Sequence, residues 1–228
     1  MGQKVNPVGL RLGISTDWQS KWVAKFNHED YANKLVEDQE IRSFIYKNLK
    51  DAAIAKIEII REIDILKIII HTARPGVVAG QKGATIENLR QNLIKKVIKT
   101  VKPDNVRISI QEVKERYTSA ALVGESIKTA IESRANYKKA IKKAMENAMK
   151  SGALGVRVKV SGRLGGAEIA RTEQFADGQI PLSTLKAKID YAVSEALVTL
   201  GIIGIKVWIY LGDVDNSKGD THVTTRKN

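Results

Sequence analysis

Cysteine is missing from this 228-residue chain, so it has neither disulfides nor thiolate metal ligands. Histidine is scarce: His28, His71 and His222 stand far apart, which argues against a histidine-built metal centre. No apolar run reaches the roughly 18 residues that a membrane-crossing helix needs. The opening residues, Met1-Gly2-Gln3-Lys4-Val5-Asn6-Pro7, lack the apolar stretch of an export signal. These absences predict a cytoplasmic protein with no membrane association, no metal and no cofactor. Acidic residues are the other shortage. Asp and Glu total 25 against 38 Lys and Arg, a formal net charge of +13. On a folded chain that balance calls for a polyanionic partner, with nucleic acid as the first expectation.

What is present is enough to build cores. Hydrophobic residues make up 43%, and the length suits one or two domains. Residues 1–37 read as a basic arm, because Gly2, Pro7, Gly9 and Gly13 interrupt regular structure while Lys4, Arg11, Lys21 and Lys25 supply charge. Trp18, Trp22 and Phe26 recur every four residues; they are read as tacks fixing the arm to the body rather than as base-stacking groups.

Residues 38–112 give a first domain in the order α-β-β-α-β. Ile41, Phe44, Ile45 and Leu49 mark a helix over 39–52, and 54–60 and 65–72 read as strands. A Pro75-Gly76 corner follows, then a helix over 85–99 and a strand over 106–110. Residues 113–212 give a second, α/β domain, with helices over 119–132 and 136–150 packed on a mostly antiparallel sheet. Its strands are placed at 156–160, 169–175, 185–193 and 205–211, with Asp177-Gly178 as a hairpin signal and Gly201 and Gly204 bracketing a turn. Residues 213–228 are polar and aperiodic, and read as a flexible tail. No internal repeat is present.

Three basic constellations follow. The first is Gly80-Gln81-Lys82-Gly83, between an apolar strand and a helix that begins near Ala84. Two glycines let backbone approach a sugar-phosphate closely, and the helix start aims free N–H groups at the same point. Lys82 and the upstream Arg74 add charge. With the order α-β-β-α-β, this is the turn KH domains use to clamp single-stranded nucleic acid. Val77, Val78, Ile86 and Ile70 are the expected base-cupping groove.

The second constellation is Arg134, Lys138, Lys139, Lys142 and Lys143. On a helical wheel Tyr137, Ile141, Ala144, Met145 and Ala148 gather on one side and the lysines on the other. Glu146 is the only acid from Tyr137 to Lys150, so the lysine ridge is read as an RNA contact rather than a merely solvated face. The third set is Arg157, Lys159, Arg163 and Arg171, with glycines among them, read as phosphate contacts. Gly162 to Gly166 is not followed by Lys-Ser or Lys-Thr, so no nucleotide-binding P-loop is present. Glu168, Glu173 and Asp190 fit no nuclease metal pattern and are read as partners of the nearby arginines.

Five segments together resemble the S-three family of bacterial small-subunit ribosomal proteins. They are Met1–Val5 with Gly9-Leu10-Arg11-Leu12-Gly13; His71–Gly76; Gly80–Gly83; the long stretch Val160–Glu173; and Gly204–Ile209. The resemblance implies a type II KH domain followed by an α/β C-terminal domain, α+β overall, in the head of the small subunit. It implies binding to small-subunit ribosomal RNA, here through Lys4, Arg11, Arg157, Lys159, Arg163 and Arg171. It also implies contact with messenger RNA at its entrance and with neighbouring head and entrance proteins. The family's strand-separating positions fall on Lys138, Lys139 and Lys142, with Arg134 preceding. The family often carries Arg where Lys138 and Lys139 stand; Lys keeps the charge but not the bidentate fork. No catalytic residue is expected. The competing expectation, a free KH-type RNA regulator, shares the Gly80–Gly83 turn but has no use for the Val160–Glu173 stretch.

Overall fold

A computed structural model describes residues 4–24, 28–62, 65–80, 83–98, 101, 103–214 and 223–224. The chain divides into two compact units, Trp18–Lys114 and a second made of Met1–Asp17 with Glu115–Asn228. The predicted 1–37 arm is therefore shared out. Its first part contains a short helix, α1 (Pro7–Arg11), which packs within the C-terminal unit. Its second part enters the other unit as β1 (Ser20–Lys21), paired parallel to the next strand.

The Trp18–Lys114 unit continues with α2 (His28–Asn48), β2 (Ile54–Arg61), β3 (Leu66–Thr72), α3 (Pro75–Ala79), α4 (Ala84–Lys96) and β4 (Val106–Glu112). Its sheet runs β1-β2-β3-β4, with β2 antiparallel to β3 and β3 parallel to β4. The core joins Ile41 and Ile45 of α2 with Ile57, Ile59, Leu66, Ile68 and Ile70 of the sheet and Leu89 and Leu93 of α4. This is the expected order, with the Pro75-Gly76 corner wound into a helical turn that Pro75 opens.

α2 starts well before the predicted residue 39 because its first turns bury acids instead of apolar groups. Glu37 and Asp38 are buried while Tyr31, Leu35 and Val36 are exposed. Arg61 meets Glu37 at 2.8 Å and Asp38 at 2.5 Å. Asp38 also accepts from Trp22 Nε1 at 2.8 Å, and the Trp22 ring lies 5.5 Å from Tyr31 and 5.9 Å from the Arg61 guanidinium. Trp22 is thus a tack, as its spacing suggested. Phe26 lies outside the described residues, and Trp18 is 60% exposed.

The C-terminal unit contains α5 (Ala120–Glu132), α6 (Tyr137–Lys150), β5 (Gly155–Gly162), β6 (Arg171–Gly178), β7 (Ala187–Val198) and β8 (Gly201–Val214). The sheet order is β6-β5-β8-β7, antiparallel throughout, and β9 (Val223–Thr224) pairs with β8. Strict alternation turns Val156, Val158, Val160, Ile205, Val207 and Ile209 towards Ile127, Ile141 and Met145 of the helices.

Two turns differ from expectation. Asp177-Gly178 makes no β6–β7 hairpin, because β6 pairs with β5 and β7 with β8. Gly178 answers to crowding instead: a Cβ there would fall 2.3 Å from the Leu154 carbonyl oxygen. The real hairpin turns at Thr199-Leu200, closing Val198 against Gly201, and Gly201 and Gly204 both lie within β8. The predicted tail also contributes to the sheet, since β8 runs to Val214 and β9 pairs with its end.

Candidate nucleic-acid interface

The turn between α3 and α4 has glycine at both ends for different reasons. Gly80 closes α3 at φ 70°, donating to the Gly76 carbonyl at 2.9 Å, and a Cβ there would strike the Thr85 side chain at 2.0 Å. Gly83 caps α4 at φ 79° in open space. Backbone amides at the start of the 13-residue α4 thus open onto the turn. Gln81 and Lys82 lie outside the described residues. Arg74 is exposed at the N-terminal edge of α3, its Nη1 donating to the Asp51 carbonyl at 3.4 Å and its amide to Thr72 Oγ1 at 3.0 Å.

The expected apolar groove is half withdrawn. Ile70 and Val78 are buried in the core, which leaves Val77, 46% exposed, and the half-buried Ile86. A groove of about 520 Å³ runs instead between α4 and the edge strand β4, lined by Ile86, Glu87, Arg90, Arg107, Ser109 and Lys67 among others. Arg90 closes one side by donating to the Val106 carbonyl at 3.0 Å, and Lys67 stands beside Arg107 in register. The sequence signal for these two cations is alternation: each is the polar position beside buried Leu66 and Val106.

On α6 the wheel reading holds. Ile141, Met145 and Ala148 are buried, Tyr137 and Ala144 pack partly against the core, and Lys138, Lys139, Lys142 and Lys143 are exposed. Asn136 caps the helix by accepting from the Lys138 amide at 3.0 Å. Lys138 lies 3.9 Å from Glu173 and 5.8 Å over the Tyr137 ring. Lys139, Lys142 and Lys143 have no ion-pair partner among the described residues. Arg134 closes α5 at φ 60°, flanked by the Ala135 amide donating back to Ala130 at 3.0 Å. Glycine is the usual residue at such a position, so an exposed arginine is held there against its backbone preference.

The third set is split by the fold. Arg157 and Lys159 point away from the helices on the open side of the sheet. Arg163 donates through Nε to the Ala167 carbonyl at 2.8 Å, and Arg171 Nε lies 3.4 Å from Glu173. Glu173 is thus an arginine partner, as expected, and it also accepts from Tyr137 at 3.2 Å and faces Lys138. Asp190 accepts from the Ala120 amide at 2.6 Å, opening α5. Lys4 is exposed.

Arg11 is a correction. It is fully buried and donates to the carbonyls of Ala187 (2.7 Å), Pro7 (3.0 Å), Pro181 (3.3 Å), Leu182 (3.0 Å) and Thr184 (2.8 Å). Burial lowers its pKa below the ordinary guanidinium value. A guanidinium with its donors spent on carbonyls inside the protein reaches no phosphate; it pins α1 to the stretch before β7.

A cavity of about 560 Å³ adjoins the start of α6, between the end of α5, the Gly162–Gly166 loop and the β7–β8 hairpin, with Arg134, Tyr137 and Arg163 at its lining. Among the described residues no His, Asp or Glu group is arranged to hold a metal, and no helix is long and apolar enough to cross a membrane.

Residues 40–117 match the KH domain family, and residues 127–209 match the family described as ribosomal protein S3, C-terminal domain. The chain is 50% identical over 218 residues to the small ribosomal subunit protein uS3 of Coxiella burnetii, covering 96% of this chain and 93% of that protein. It is 48% identical over 220 residues to uS3 of Lachnoclostridium phytofermentans, covering 96% and 97%, and 50% identical over 214 residues to uS3 of Clostridium perfringens, covering 94% of each. With an α+β KH domain followed by that C-terminal domain, the chain belongs to the ribosomal protein S3 family, structural constituents of the small ribosomal subunit and not enzymes.

Proposed function

We propose that this chain binds small-subunit ribosomal RNA in the cytoplasmic ribosome and presents α6 to messenger RNA at its entrance, where the lysine ridge holds strands apart. The observation that carries this reading is α6 itself. Its apolar stripe is spent on the core, while Lys139, Lys142 and Lys143 face solvent without a carboxylate partner among the described residues. Like charges four residues apart, as in Lys138/Lys142 and Lys139/Lys143, destabilise a helix by a few tenths of a kcal/mol. A polyanion along the ridge removes that repulsion. The mechanism is passive: charge holds the strand, and the assembled ribosome supplies movement. Arg74, Gly80, Gln81, Lys82 and Gly83 form the corresponding clamp in the KH domain, with Lys4, Arg157, Lys159, Arg163 and Arg171 as further ribosomal RNA contacts. Neighbouring head and entrance proteins are its protein partners.

Replacing Lys138, Lys139 and Lys142 with Ala tests the ridge. The helix is expected to survive, since Ala is the better helix former, while translation through stable hairpins slows and translation of unstructured messages does not. Equal slowing on both messages would assign the lysines to assembly instead.

A further inference from the structure

The sheet of the C-terminal unit has one face under α5 and α6, and on its other face Lys159, Gln174, Ala176, Val193 and Lys206 are exposed among the described residues. Alternation that sends the valines of β5 and isoleucines of β8 inward sends Arg157, Lys159, Lys206, Trp208 and Tyr191 outward. The register sets these in two adjacent rows. In one, Arg157 stands opposite Trp208 and Trp208 opposite Tyr191; in the next, Lys159 stands opposite Lys206 and Lys206 opposite Val193. The Trp208 and Tyr191 rings are 5.2 Å apart at 36°. Lys159 and Lys206 are both exposed.

Like charges directly opposite one another weaken a strand pair, and nothing in these rows offsets them. The β6 neighbours are Ala176 and Gln174, and none of the three cations has an ion pair among the described residues. Asp177, Glu173 and Asp190, one residue from these rows, alternate to the other face, and on this face the nearest acid in register is Glu195, opposite Gly204 in the following row. Two aromatic rings flanked by three unpaired cations match a nucleotide chain, which offers a flat base for the rings and a phosphate on either side for the cations. An acidic protein segment would satisfy the cations, but only a nucleotide chain brings a flat ring beside a phosphate at every unit.

We propose that this open sheet face is a second RNA-binding surface, on which Trp208 and Tyr191 stack an unpaired base while Arg157, Lys159 and Lys206 hold the adjoining phosphates. It rests on the RNA-binding reading above and adds Lys206, Trp208 and Tyr191 to it. Because α6 covers the opposite face of the same sheet, one domain holds two RNA segments on its two sides.

The test measures binding of labelled oligouridylate to the full chain by fluorescence anisotropy across a salt series. Three variants are compared: Lys159→Gln with Lys206→Gln, Trp208→Leu, and Lys138→Gln with Lys139→Gln and Lys142→Gln. The sheet lysine pair is expected to weaken binding and to flatten the log–log salt slope by about 1.4, the share of two single-strand phosphate contacts. Trp208→Leu is expected to weaken binding about fivefold or more. Melting of each variant separates lost contact from lost fold, and the two exposed lysines keep the test valid if Trp208→Leu unfolds. If only the α6 variant loses affinity, the open-face proposal is overturned, the ridge reading stands, and the face falls to a protein partner. If all three bind like the parent, the open-face proposal and the ridge reading both fail, and the binding belongs to the turn between α3 and α4.

Discussion

Arg11 and Lys139 look alike in the sequence, as basic residues among glycines or alanines, and the fold gives them opposite fates. Lys139 stands in solvent. Arg11 is enclosed by carbonyl groups of residues far along the chain, at Pro181 to Ala187. A planar guanidinium serves several acceptors at fixed angles, whereas an ammonium has three donors on a flexible stem. Arg11→Lys is therefore expected to destabilise the C-terminal unit by about 2–4 kcal/mol, because buried carbonyls are left without donors. Urea unfolding followed through Trp208, which lies in the same unit, checks this; an unchanged midpoint would mean that water or rearranged backbone replaces the guanidinium. Nothing in residues 1–13 signals this burial, because the acceptors are backbone atoms and backbone atoms have no sequence signature.

At the scale of elements, legibility followed the apolar period. α6 and β5 recur or alternate cleanly, and both their position and their buried face could be read; β8 showed its buried face over 205–211 but not its ends at Gly201 and Val214. The first turns of α2 could not, because they bury Glu37 and Asp38 against Arg61 and expose Leu35 and Val36. The turn joining α3 to α4 was legible as a motif, but its two glycines were not distinguishable. Gly80→Ala must both adopt φ 70° and displace Thr85, whereas Gly83→Ala meets only the φ 79° penalty. We expect Gly83→Ala to lower stability by about 1–2 kcal/mol and Gly80→Ala by clearly more, as read by thermal melting. Equal losses would show that Thr85 moves aside freely. The β6–β7 hairpin was misread for a related reason. Asp177-Gly178 satisfies local turn chemistry, but Gly178 is required by the Leu154 backbone pressed against it, and pairing partners are chosen by the sheet as a whole.

At the scale of the molecule, the charge of +13 is divided among separate surfaces. The ridge alone offers four exposed lysines, and each single-strand phosphate contact contributes about 0.7 to the salt slope. The full chain is accordingly expected to bind single-stranded RNA with a log–log slope of about −3 or steeper; a slope near zero would remove phosphate neutralisation as the basis of binding. By itself the sequence determined the α+β class, the KH order, the polyanionic partner and the lysine face of α6, because composition, period and short motifs are local properties. Only the tertiary structure decided that Arg11 is an internal staple, that Ile70 and Val78 are core, and that Arg157 and Lys159 lie on the other side of the sheet from α6. Those outcomes depend on which strand pairs with which and in what register, and a long-range pairing is fixed by the fit of the whole core rather than by any residue it joins.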